Sequence, residues 1–343
     1  MPLLVVDGNA ASRTWTLTRD AEERIRREAP DGWEIYFVRA QTSSDGDGPR
    51  GSSDEVMNAI QNADVYLGFG IPRPLFLAGK SLEWVHSAAA GVGNALYPEM
   101  RDGDVILTNS AGVHAIPIAE YIVAAVLYFF RGLDIAVDQQ RRAEWNKTPF
   151  VGEQSPLREV GGSCVLVVGA GGIGSEAARR LSALGARCVG VRRRPALGTP
   201  EGFERVVGFD AIDDELPRAD AIVLAAPLTD ETRGLLDAGR MDAMRSSAIV
   251  VNVARGALLD EAALVERLRA GKFRGAALDV FQEEPLASES PLWQLRSVLV
   301  TPHVSPVSPG RFWMRELDLF LDNWRRFERG QSLRNVVDKR AGY

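Results

Sequence analysis

Three histidines are the first candidates for acid–base chemistry in this chain of 343 residues. Histidine titrates closest to neutral pH and is therefore the usual proton donor or acceptor in an active site. His303 follows the apolar run V-L-V-T-P-H, at the carboxyl end of a predicted strand, where open α/β sheets bind ligands. His86 ends a strand in an apolar context and His114 opens a helix, so we predict structural roles for both.

Arg255 and Glu284 are candidates for the same site, because each follows a predicted buried strand. Arg255 ends A-I-V-V-N-V-A-R, and its guanidinium fork suits a carboxylate or a 2-oxo acid; a surface arginine is the alternative. Glu284, in D-V-F-Q-E-E-P-L, is placed to hold a histidine and favour its charged form. The neighbouring Glu283 is the competing carboxylate, and we interpret it as a solvated charge.

A glycine-rich turn indicates a dinucleotide site. The apolar run Val165–Val168 leads into G-A-G-G-I-G, which begins at Gly169 and has G-x-G-x-x-G spacing. A helical segment, Ser175–Leu184, and a second apolar run, Cys188–Val191, complete a βαβ unit. The glycines would allow a tight turn, close approach of a pyrophosphate and close packing, while the helix N-terminus offers its N–H groups. A glycine-rich turn of another α/β protein is the alternative.

Three consecutive arginines, Arg192, Arg193 and Arg194, end the second strand of this unit. NAD-binding units usually carry Asp or Glu at this place, where it holds the ribose hydroxyls. We expect no acid near the run that would repel a 2′-phosphate, and guanidinium groups suit phosphate oxygens. The run therefore favours NADP(H), with NAD(H) as the second choice; a solvated basic loop is the alternative.

Composition excludes several classes of function. A hydrophobic content of 45% and a charged content of 25% are typical of a globular protein, and the net charge of -6 argues against nucleic-acid or anionic-membrane binding. We see no secretory signal at the start, and the apolar stretch Ile116–Phe130 is too short for a membrane span, so we expect a cytoplasmic protein. Cys164 and Cys188 are predicted to be buried thiols, and no Cys/His cluster has metal-ligand spacing.

The order of apolar runs and helical stretches predicts an α/β protein with two doubly wound parallel-sheet domains. The first half is predicted to form strands at Leu3–Val6, Trp33–Val38, Val65–Phe69, Leu82–Ser87 and Val105–Thr108. The second half has six candidate strands, as a dinucleotide domain requires, at Val165–Val168, Cys188–Val191, Ala221–Ala225, Ala248–Val253, Gly275–Val280 and Val298–Val300.

Between the strands, the apolar spacing predicts helices at Thr14–Glu28, Asp54–Gln61, Ala115–Arg142 and Arg311–Arg329. The last of these is amphipathic, and we interpret its apolar face as packing on the core. Composition predicts a surface loop at Gln41–Ser53 and an extended connection at Asn146–Gly162.

Together the motifs resemble those of the D-isomer-specific 2-hydroxyacid dehydrogenases and, with the arginine run, their NADPH-dependent glyoxylate/hydroxypyruvate reductases. The glycine turn, V-N-V-A-R-G-A-L-L-D around Arg255, D-V-F-Q-E-E-P-L around Glu284 and T-P-H at His303 occur in the family's order. T-N-S-A-G-V-H-A-I-P-I-A-E from Thr108 resembles the helix that begins the family's cofactor domain, and S-A-A-A-G-V-G-N from Ser87 resembles its substrate-carboxylate loop.

The resemblance implies a Rossmann dinucleotide-binding domain, residues 109–303, inserted into a flavodoxin-like substrate domain, residues 1–108 and 304–343. It implies a homodimer, which the long apolar segment Ala115–Arg142 also favours. The chain ends soon after its last helix, so we expect no added regulatory domain.

Roles for individual residues also follow from the resemblance. It implies a catalytic trio of Arg255, Glu284 and His303. The substrate is expected to bind Arg255 and the backbone of Ala90, Gly91, Val92 and Gly93. The cofactor is expected to contact Gly169, Gly171, Gly172, Ile173, Gly174, Arg192, Arg193, Arg194, Ala226, Pro227, Thr232, Val253, Ala254, Arg255, Asp279 and His303.

Three positions depart from the family pattern. Asn94 stands where an Asp-type residue is usual, and Tyr121 stands where a histidine commonly follows the A-E pair. Arg192 replaces the acid that selects NAD. The first two departures change details of the pocket, and the third changes the expected cofactor preference from NAD to NADP.

The expected reaction interconverts a 2-oxo acid, such as glyoxylate or hydroxypyruvate, and a D-2-hydroxy acid with NADP(H). Arg255 would stabilise the negative charge on the carbonyl oxygen, and His303, held by Glu284, would supply the proton.

Two alternative functions remain. One is formate or phosphite oxidation, although formate enzymes of the family carry Gln in place of Glu284. The other is a dinucleotide-sensing corepressor-like binding protein. Residues that could line an apolar substrate pocket, with core packing as the alternative, are Phe69, Ile71 and Trp313.

Overall fold

The computed structural model describes residues 1–42 and 51–342. The chain divides into two compact units, the first formed by Met1–His114 and Val307–Tyr343 and the second by Ala115–Pro306. The second unit is therefore inserted in the sequence of the first. These boundaries fall after residues 114 and 306, whereas the predicted bounds fell after 108 and 303. Positions 43–50 of the predicted surface loop lie outside the described residues.

Among the described residues, the first unit has a parallel sheet of five strands in the order β2-β1-β3-β4-β5. This is the order of a flavodoxin-like sheet, and every strand predicted for the first half of the chain is present. The strands are β1 Leu3–Asp7, β2 Glu34–Phe37, β3 Val65–Gly68, β4 Trp84–Ser87 and β5 Ile106–Asn109.

The second unit, which is described throughout, has a parallel sheet of seven strands in the order β12-β11-β10-β9-β6-β7-β8. The six predicted strands are all present in a Rossmann arrangement, in which all strands are parallel and the strand order reverses between β6 and β9. The prediction missed β8, a short strand at the sheet edge that is only half-buried. The strands are β6 Cys164–Val168, β7 Arg187–Val191, β8 Arg205–Val207, β9 Ala221–Leu224, β10 Ile249–Asn252, β11 Gly275–Leu278 and β12 Val298–Val300.

Helices connect the strands of both units. They are α1 Arg19–Glu28, α2 Asp54–Ala59, α3 Arg73–Ala78, α4 Pro98–Asp102, α5 Ala115–Phe130, α6 Leu133–Arg141, α7 Thr148–Val151, α8 Gly172–Ala183, α9 Ile212–Glu215, α10 Ala238–Ala243, α11 Glu261–Arg269 and α12 Phe312–Glu328.

Capping residues and glycines explain where the predicted helix bounds were wrong. The first helix begins at Arg19 because the Thr18 hydroxyl accepts a hydrogen bond from the Ala21 N–H at 3.2 Å. The predicted helical stretch Ala115–Arg142 is interrupted at Gly132, which has a left-handed φ of +66° and allows α5 and α6 to meet at 70°. The short helix α7 interrupts the predicted extended connection.

Helices cover both faces of the second sheet, so its central strands are predominantly apolar and buried. Along β6, Leu166 and Val168 pack into one layer of the core, while Val165 and Val167 pack into the other. The two cysteines are buried in opposite layers, which confirms the prediction that they are core thiols. Burial raises the pKa of Cys188 to about 12, so its thiol stays protonated.

In the first unit, α12 packs on the sheet as its spacing predicted. Phe320 stacks on Trp84 with 5.2 Å between the ring centroids, and Trp324 is fully buried. On its solvent side Asp318 pairs with Arg24 of α1 at 2.7 Å.

No single helix within the described part of the chain is long and apolar enough to cross a membrane. Only α5 and α6 taken together meet that requirement, and α5 buries Ile122, Val126 and Phe129 in the core of the second unit.

Candidate active site

The three predicted catalytic residues follow three neighbouring strands of the second sheet. Arg255 comes after β10, Glu284 after β11 and His303 after β12, and these strands pair in that order. Because the carboxyl ends of parallel strands share one edge, the fold brings the three loops to the same side of the sheet. This is the edge at which α/β sheets bind their ligands.

His303 and Glu284 form a hydrogen-bonded pair. His303 Nδ1 lies 2.8 Å from Glu284 Oε2, and the side chains are 23% and 34% exposed. The other carboxylate oxygen accepts the Phe281 N–H at 2.9 Å, which fixes the plane of the carboxylate. An ionised carboxylate only accepts hydrogen bonds, so Nδ1 carries a proton and donates it to Glu284. This is the pairing that the sequence predicted.

The backbone of His303 adopts a conformation that is rare for a residue with a side chain. Its φ is +53°, in the left-handed region, and its N–H donates to Asp279 O at 2.9 Å and to Thr301 O at 3.0 Å. Such a conformation is strained and persists only where the surrounding structure holds it. The position of the imidazole therefore depends on the contacts of the loop as well as on Glu284.

Asp279, predicted as a cofactor contact, supplies those loop contacts. Its carboxylate is fully buried. Oδ1 accepts from the Thr301 hydroxyl at 2.6 Å and from the Val304 N–H at 2.9 Å, and Oδ2 accepts from the Ser305 N–H at 2.8 Å. Both oxygens are thus bound to the chain that surrounds His303. These contacts make Asp279 a brace for the loop.

Tyr121 reaches the same loop from α5. Its hydroxyl lies 2.8 Å from Thr301 Oγ1. Burial raises the pKa of Tyr121 to about 12, so the hydroxyl is protonated at neutral pH. The sequence singled out this residue only as a departure from the family pattern, and no local signal placed it near His303.

The loop that carries Arg255 is braced by Asn252, the buried last residue of β10. Asn252 Nδ2 donates to Arg255 O at 3.0 Å, and its Oδ1 accepts the Ala254 N–H at 3.1 Å. The Arg255 side chain is exposed, with Nη1 donating to Ala254 O at 2.7 Å. A rigid turn thus presents an exposed guanidinium at the sheet edge.

Gly256 packs this turn directly on the loop that leads to Glu284. A Cβ at this position would overlap the backbone of Phe281 and Gln282. Only glycine permits so close an approach, so the Arg255 loop and the Glu284 loop are held in contact through their backbones.

The glycine-rich turn is shaped as a dinucleotide site requires. Gly169 has a φ of +108°, and a Cβ there would lie 2.6 Å from the backbone of Ala225 and Ala226. A Cβ on Gly174 would overlap Gly169 O, whereas one on Gly171 would meet no heavy atom of the described chain within 4 Å. Two glycines therefore allow close packing and the middle one faces open space. Among the described residues no side chain caps α8, so its N-terminal N–H groups suit an anion.

The arginine run is less uniform than its sequence suggested. Arg192 Nη2 donates to Gly198 O, but its buried Nε has no hydrogen-bond partner within residues 1–42 and 51–342. Arg193 Nε lies 2.8 Å from Glu231 Oε2, and Arg194 is exposed. The expectation that no acid lies near the run is therefore wrong, because the loop after β9 brings Glu231 to Arg193.

The other predicted cofactor residues lie at the N-terminus of α8 and in the loops after β9 and β10. Thr232 Oγ1 donates to Pro227 O at 2.7 Å and accepts the Thr229 N–H at 2.8 Å, which closes the turn after β9. In that turn Ala226 is buried and Pro227 is exposed. Of the remaining residues, Gly172 is exposed, Ile173 and Ala254 are half-buried, and Val253 is buried.

The predicted substrate loop belongs to the first unit and follows β4. Ala90, Gly91 and Gly93 are exposed and Val92 is buried. Asn109 anchors the loop, its Nδ2 donating to Ala90 O at 2.8 Å. Asn94, the second departure from the family pattern, is exposed.

The candidate pocket residues of the first unit are all buried, and the rings of Phe69 and Trp313 are in edge-to-face contact, with 5.8 Å between their centroids. Trp313 lines a cavity of about 470 Å³ between the start of α1 and the start of α12. Phe69 and Ile71 are buried in the core.

The two remaining histidines have the surroundings of structural residues. His86 is fully buried and its ring nitrogens lie within hydrogen-bond distance of Thr108 and Glu316. His114 stacks on Phe312, with 5.3 Å between ring centroids and 9° between ring planes. Both arrangements fit the structural roles that the sequence predicted.

Known proteins are similar to this chain in sequence and in fold. The family model for the NAD-binding domain of D-isomer specific 2-hydroxyacid dehydrogenases matches residues 123–305. The chain is 32% identical over 276 residues to glyoxylate/hydroxypyruvate reductase A of Salmonella paratyphi B, covering 78% of this chain and 84% of the relative. It is 34% identical over 258 residues to D-3-phosphoglycerate dehydrogenase of Methanocaldococcus jannaschii, covering 74% of this chain but 47% of the relative. The chain thus spans about half the length of that relative.

The structure is also similar to a solved one. It matches the D-isomer specific 2-hydroxyacid dehydrogenase of Xanthobacter autotrophicus Py2, crystallised in complex with NADPH and MES, with a TM-score of 0.80 and 29% identity. The match covers 100% of this chain and 99% of that one. The two sheets, the motifs and these similarities lead to one assignment: the chain belongs to the D-isomer-specific 2-hydroxyacid dehydrogenase family.

Proposed function

We propose that the chain is an NADP(H)-dependent D-2-hydroxyacid dehydrogenase that reduces small 2-oxo acids of the glyoxylate or hydroxypyruvate type. The observation that carries the proposal is the His303–Glu284 pair, 2.8 Å apart at the sheet edge that also presents Arg255. A histidine with a bound carboxylate and a nearby guanidinium has the groups that carbonyl reduction needs. The name of the Salmonella relative supports this substrate class.

The second unit has the features that a dinucleotide needs. The uncapped N-terminus of α8, with open space at Gly171, suits a pyrophosphate. The buried Nε of Arg192, which has no partner in the described chain, suits a 2′-phosphate oxygen. When bound, NADPH would supply the hydride that reduces the carbonyl carbon, and NADP⁺ would take up that hydride in the oxidative direction. The NADPH complex of the Xanthobacter relative supports the choice of NADP(H).

The side chains of the site would divide the rest of the chemistry. Arg255 would bind the carbonyl oxygen and stabilise the negative charge that develops on it during reduction. His303 would donate the proton that this oxygen takes up, and Glu284 would stabilise the positive charge of the imidazolium before transfer. The backbone of Ala90–Gly93 in the first unit is predicted to take the substrate carboxylate.

A substrate panel tests this function directly. The purified chain is given glyoxylate, hydroxypyruvate and longer 2-oxo acids, each with NADPH and with NADH, and in the oxidative direction formate and phosphite. We expect oxidation of NADPH with at least one 2-oxo acid. Turnover of formate or phosphite alone would place the chain in the alternative class of dehydrogenase. Tight NADPH binding without any turnover would instead indicate a dinucleotide sensor.

Assembly and location are separate predictions. The homodimer is tested by light scattering on the eluting protein, which should give twice the chain mass of 37.4 kDa. A cytoplasmic location is the expectation that accompanies a reductase of small metabolites.

A further inference from the structure

We propose that Thr301 and Tyr121 are positioning residues for His303, and that they act through the buried carboxylate of Asp279. The proposal rests on the proposed function, in which His303 donates the proton. It assigns a role in the reaction to two side chains that lie outside the trio. The network that carries it lies entirely within the second unit.

The hydrogen bonds of this network have a defined direction. Thr301 Oγ1 lies 2.6 Å from Asp279 Oδ1, and a carboxylate only accepts, so the single proton of the threonine points to Asp279. The Tyr121 hydroxyl, 2.8 Å from the same Oγ1, must therefore be the donor of that second bond. Its raised pKa of about 12 keeps the proton on the tyrosine at neutral pH. The chain of donors runs from Tyr121 through Thr301 to Asp279.

This series of hydrogen bonds ends at the backbone on either side of His303. Besides Thr301, the Asp279 carboxylate accepts the N–H groups of Val304 and Ser305, at 2.9 and 2.8 Å. The carbonyl of Asp279 accepts the N–H of His303 at 2.9 Å. One residue, Asp279, therefore binds both the N–H of His303 and the N–H groups that follow it, and these bonds hold the strained left-handed backbone of His303 in place.

Two carboxylates therefore determine the position of the imidazole ring, each through different contacts. Glu284 binds the ring at Nδ1, and Asp279 fixes the Cα from which the ring projects. The Thr301 hydroxyl is the donor that ties this aspartate to strand β12, and Tyr121 holds that hydroxyl in its orientation. If the hydroxyl is lost, the loop can relax toward an ordinary φ and carry the ring out of line with the substrate. Small misplacements of a catalytic group lower the rate of the chemical step more than they lower binding.

Substitutions at Thr301 separate the hydroxyl from the shape of the side chain. Thr301→Val removes the donor and keeps the branched shape, whereas Thr301→Ser keeps the donor. We expect Thr301→Val to lower kcat by about tenfold to a hundredfold while KM for the 2-oxo acid and for NADPH changes by less than about threefold. Thr301→Ser should restore most of the rate. Tyr121→Phe should give a smaller loss of kcat, and Tyr128→Phe, on the same helix, is the matched control that should give none.

A second readout does not depend on turnover. The chain has 3 histidines, so the His303 ring signals can be assigned in an NMR spectrum by their loss in His303→Ala. We expect Thr301→Val to shift the His303 signals and to leave those of His86 and His114 in place, with Thr301→Ser close to the wild type. If the wild-type protein turns over no 2-oxo acid, the proposed function fails, and these spectra still test the positioning network.

The positioning role would be overturned by a folded Thr301→Val protein with wild-type kcat and unchanged His303 signals. It would equally be overturned if Thr301→Ser lost as much activity as Thr301→Val, because the hydroxyl would then not be the group that matters. A loss in Tyr128→Phe as large as that in Tyr121→Phe would show a general effect of α5 and would contradict the role of Tyr121.

Discussion

Two histidine–glutamate pairs with the same separation differ in every other respect. In the second unit, His303 Nδ1 lies 2.8 Å from Glu284 Oε2, and in the first unit His86 Nε2 lies 2.8 Å from Glu316 Oε1. The side chains of the first pair are 23% and 34% exposed, whereas those of the second are 0% exposed. Distance alone therefore does not distinguish a pair that can serve a substrate from one that holds a core together.

The surroundings of His86 show what such a buried pair does. The indole N–H of Trp84 donates to Thr108 Oγ1 at 2.8 Å, and the same hydroxyl oxygen lies 2.6 Å from His86 Nδ1. On the other side of the ring, His86 Nε2 lies 2.8 Å from Glu316 Oε1 of α12, and an ionised carboxylate only accepts, so Nε2–H is the donor of that bond. Side chains engage both ring nitrogens, and the network ties β4, β5 and α12 together. His303 instead projects from a loop at the edge of a sheet.

The largest effect on activity is expected at His303, the half-buried histidine at the sheet edge. His303→Ala removes the proposed proton donor and should lower kcat for 2-oxo acid reduction by about 10²–10⁴. Binding of NADPH, followed by the quenching of protein fluorescence, should change little because the glycine turn and Arg192 are untouched. A His303→Ala protein with wild-type kcat would contradict the catalytic assignment.

The buried histidine should show its effect in stability. His86→Phe leaves the Glu316 carboxylate in the core without its partner, and breaking a buried pair in this way costs about 3–5 kcal/mol. The expected result is a lower Tm and a lower midpoint of urea unfolding. At a temperature where the variant is folded, its kcat should remain that of the wild type. An unchanged Tm would show that this pair is not needed to hold α12 on the sheet.

The arginine run repeats the comparison on a smaller scale, because Arg193 is held by Glu231 while Arg192 has a buried Nε without a partner in the described residues. A charge-assisted contact with the 2′-phosphate contributes about 1.5–3 kcal/mol, which corresponds to a preference of about tenfold to a hundredfold for NADPH in kcat/KM. Arg192→Asp should reverse this preference, chiefly through KM. Arg193→Ala, the matched control, should have a smaller effect. Equal efficiency with NADH and NADPH in the wild type would contradict the role of the run.

The sequence predicted the strands well because buried parallel strands are continuous apolar runs, which are a local property of the chain. The edge strand β8, with its half-buried Arg205, lacks that signal and was missed. Helix bounds depended on single residues, such as Thr18 as a cap and Gly132 as a break, whose effect is decided by their own backbone conformation.

The candidate site was predictable only as far as each residue could be placed after a strand. The sequence could not predict which side chains come into contact across the fold, because the partners are distant in sequence. Glu231 lies 38 residues from Arg193, and Tyr121 lies 180 residues from Thr301. The family resemblance implied that Asp279 contacts the cofactor, but nothing in the sequence showed that its carboxylate binds Thr301 and the backbone of Val304 and Ser305.

The most direct test applies the same substitution to both pairs and measures kcat and Tm for each variant. Glu284→Gln should lower kcat by at least about tenfold, because the imidazolium loses its charged partner, while Tm changes little because an exposed pair contributes at most about 1 kcal/mol. Glu316→Gln should lower Tm by several degrees and leave kcat unchanged. The account would be contradicted if Glu316→Gln lost activity as Glu284→Gln does, or if Glu284→Gln lowered Tm without lowering kcat.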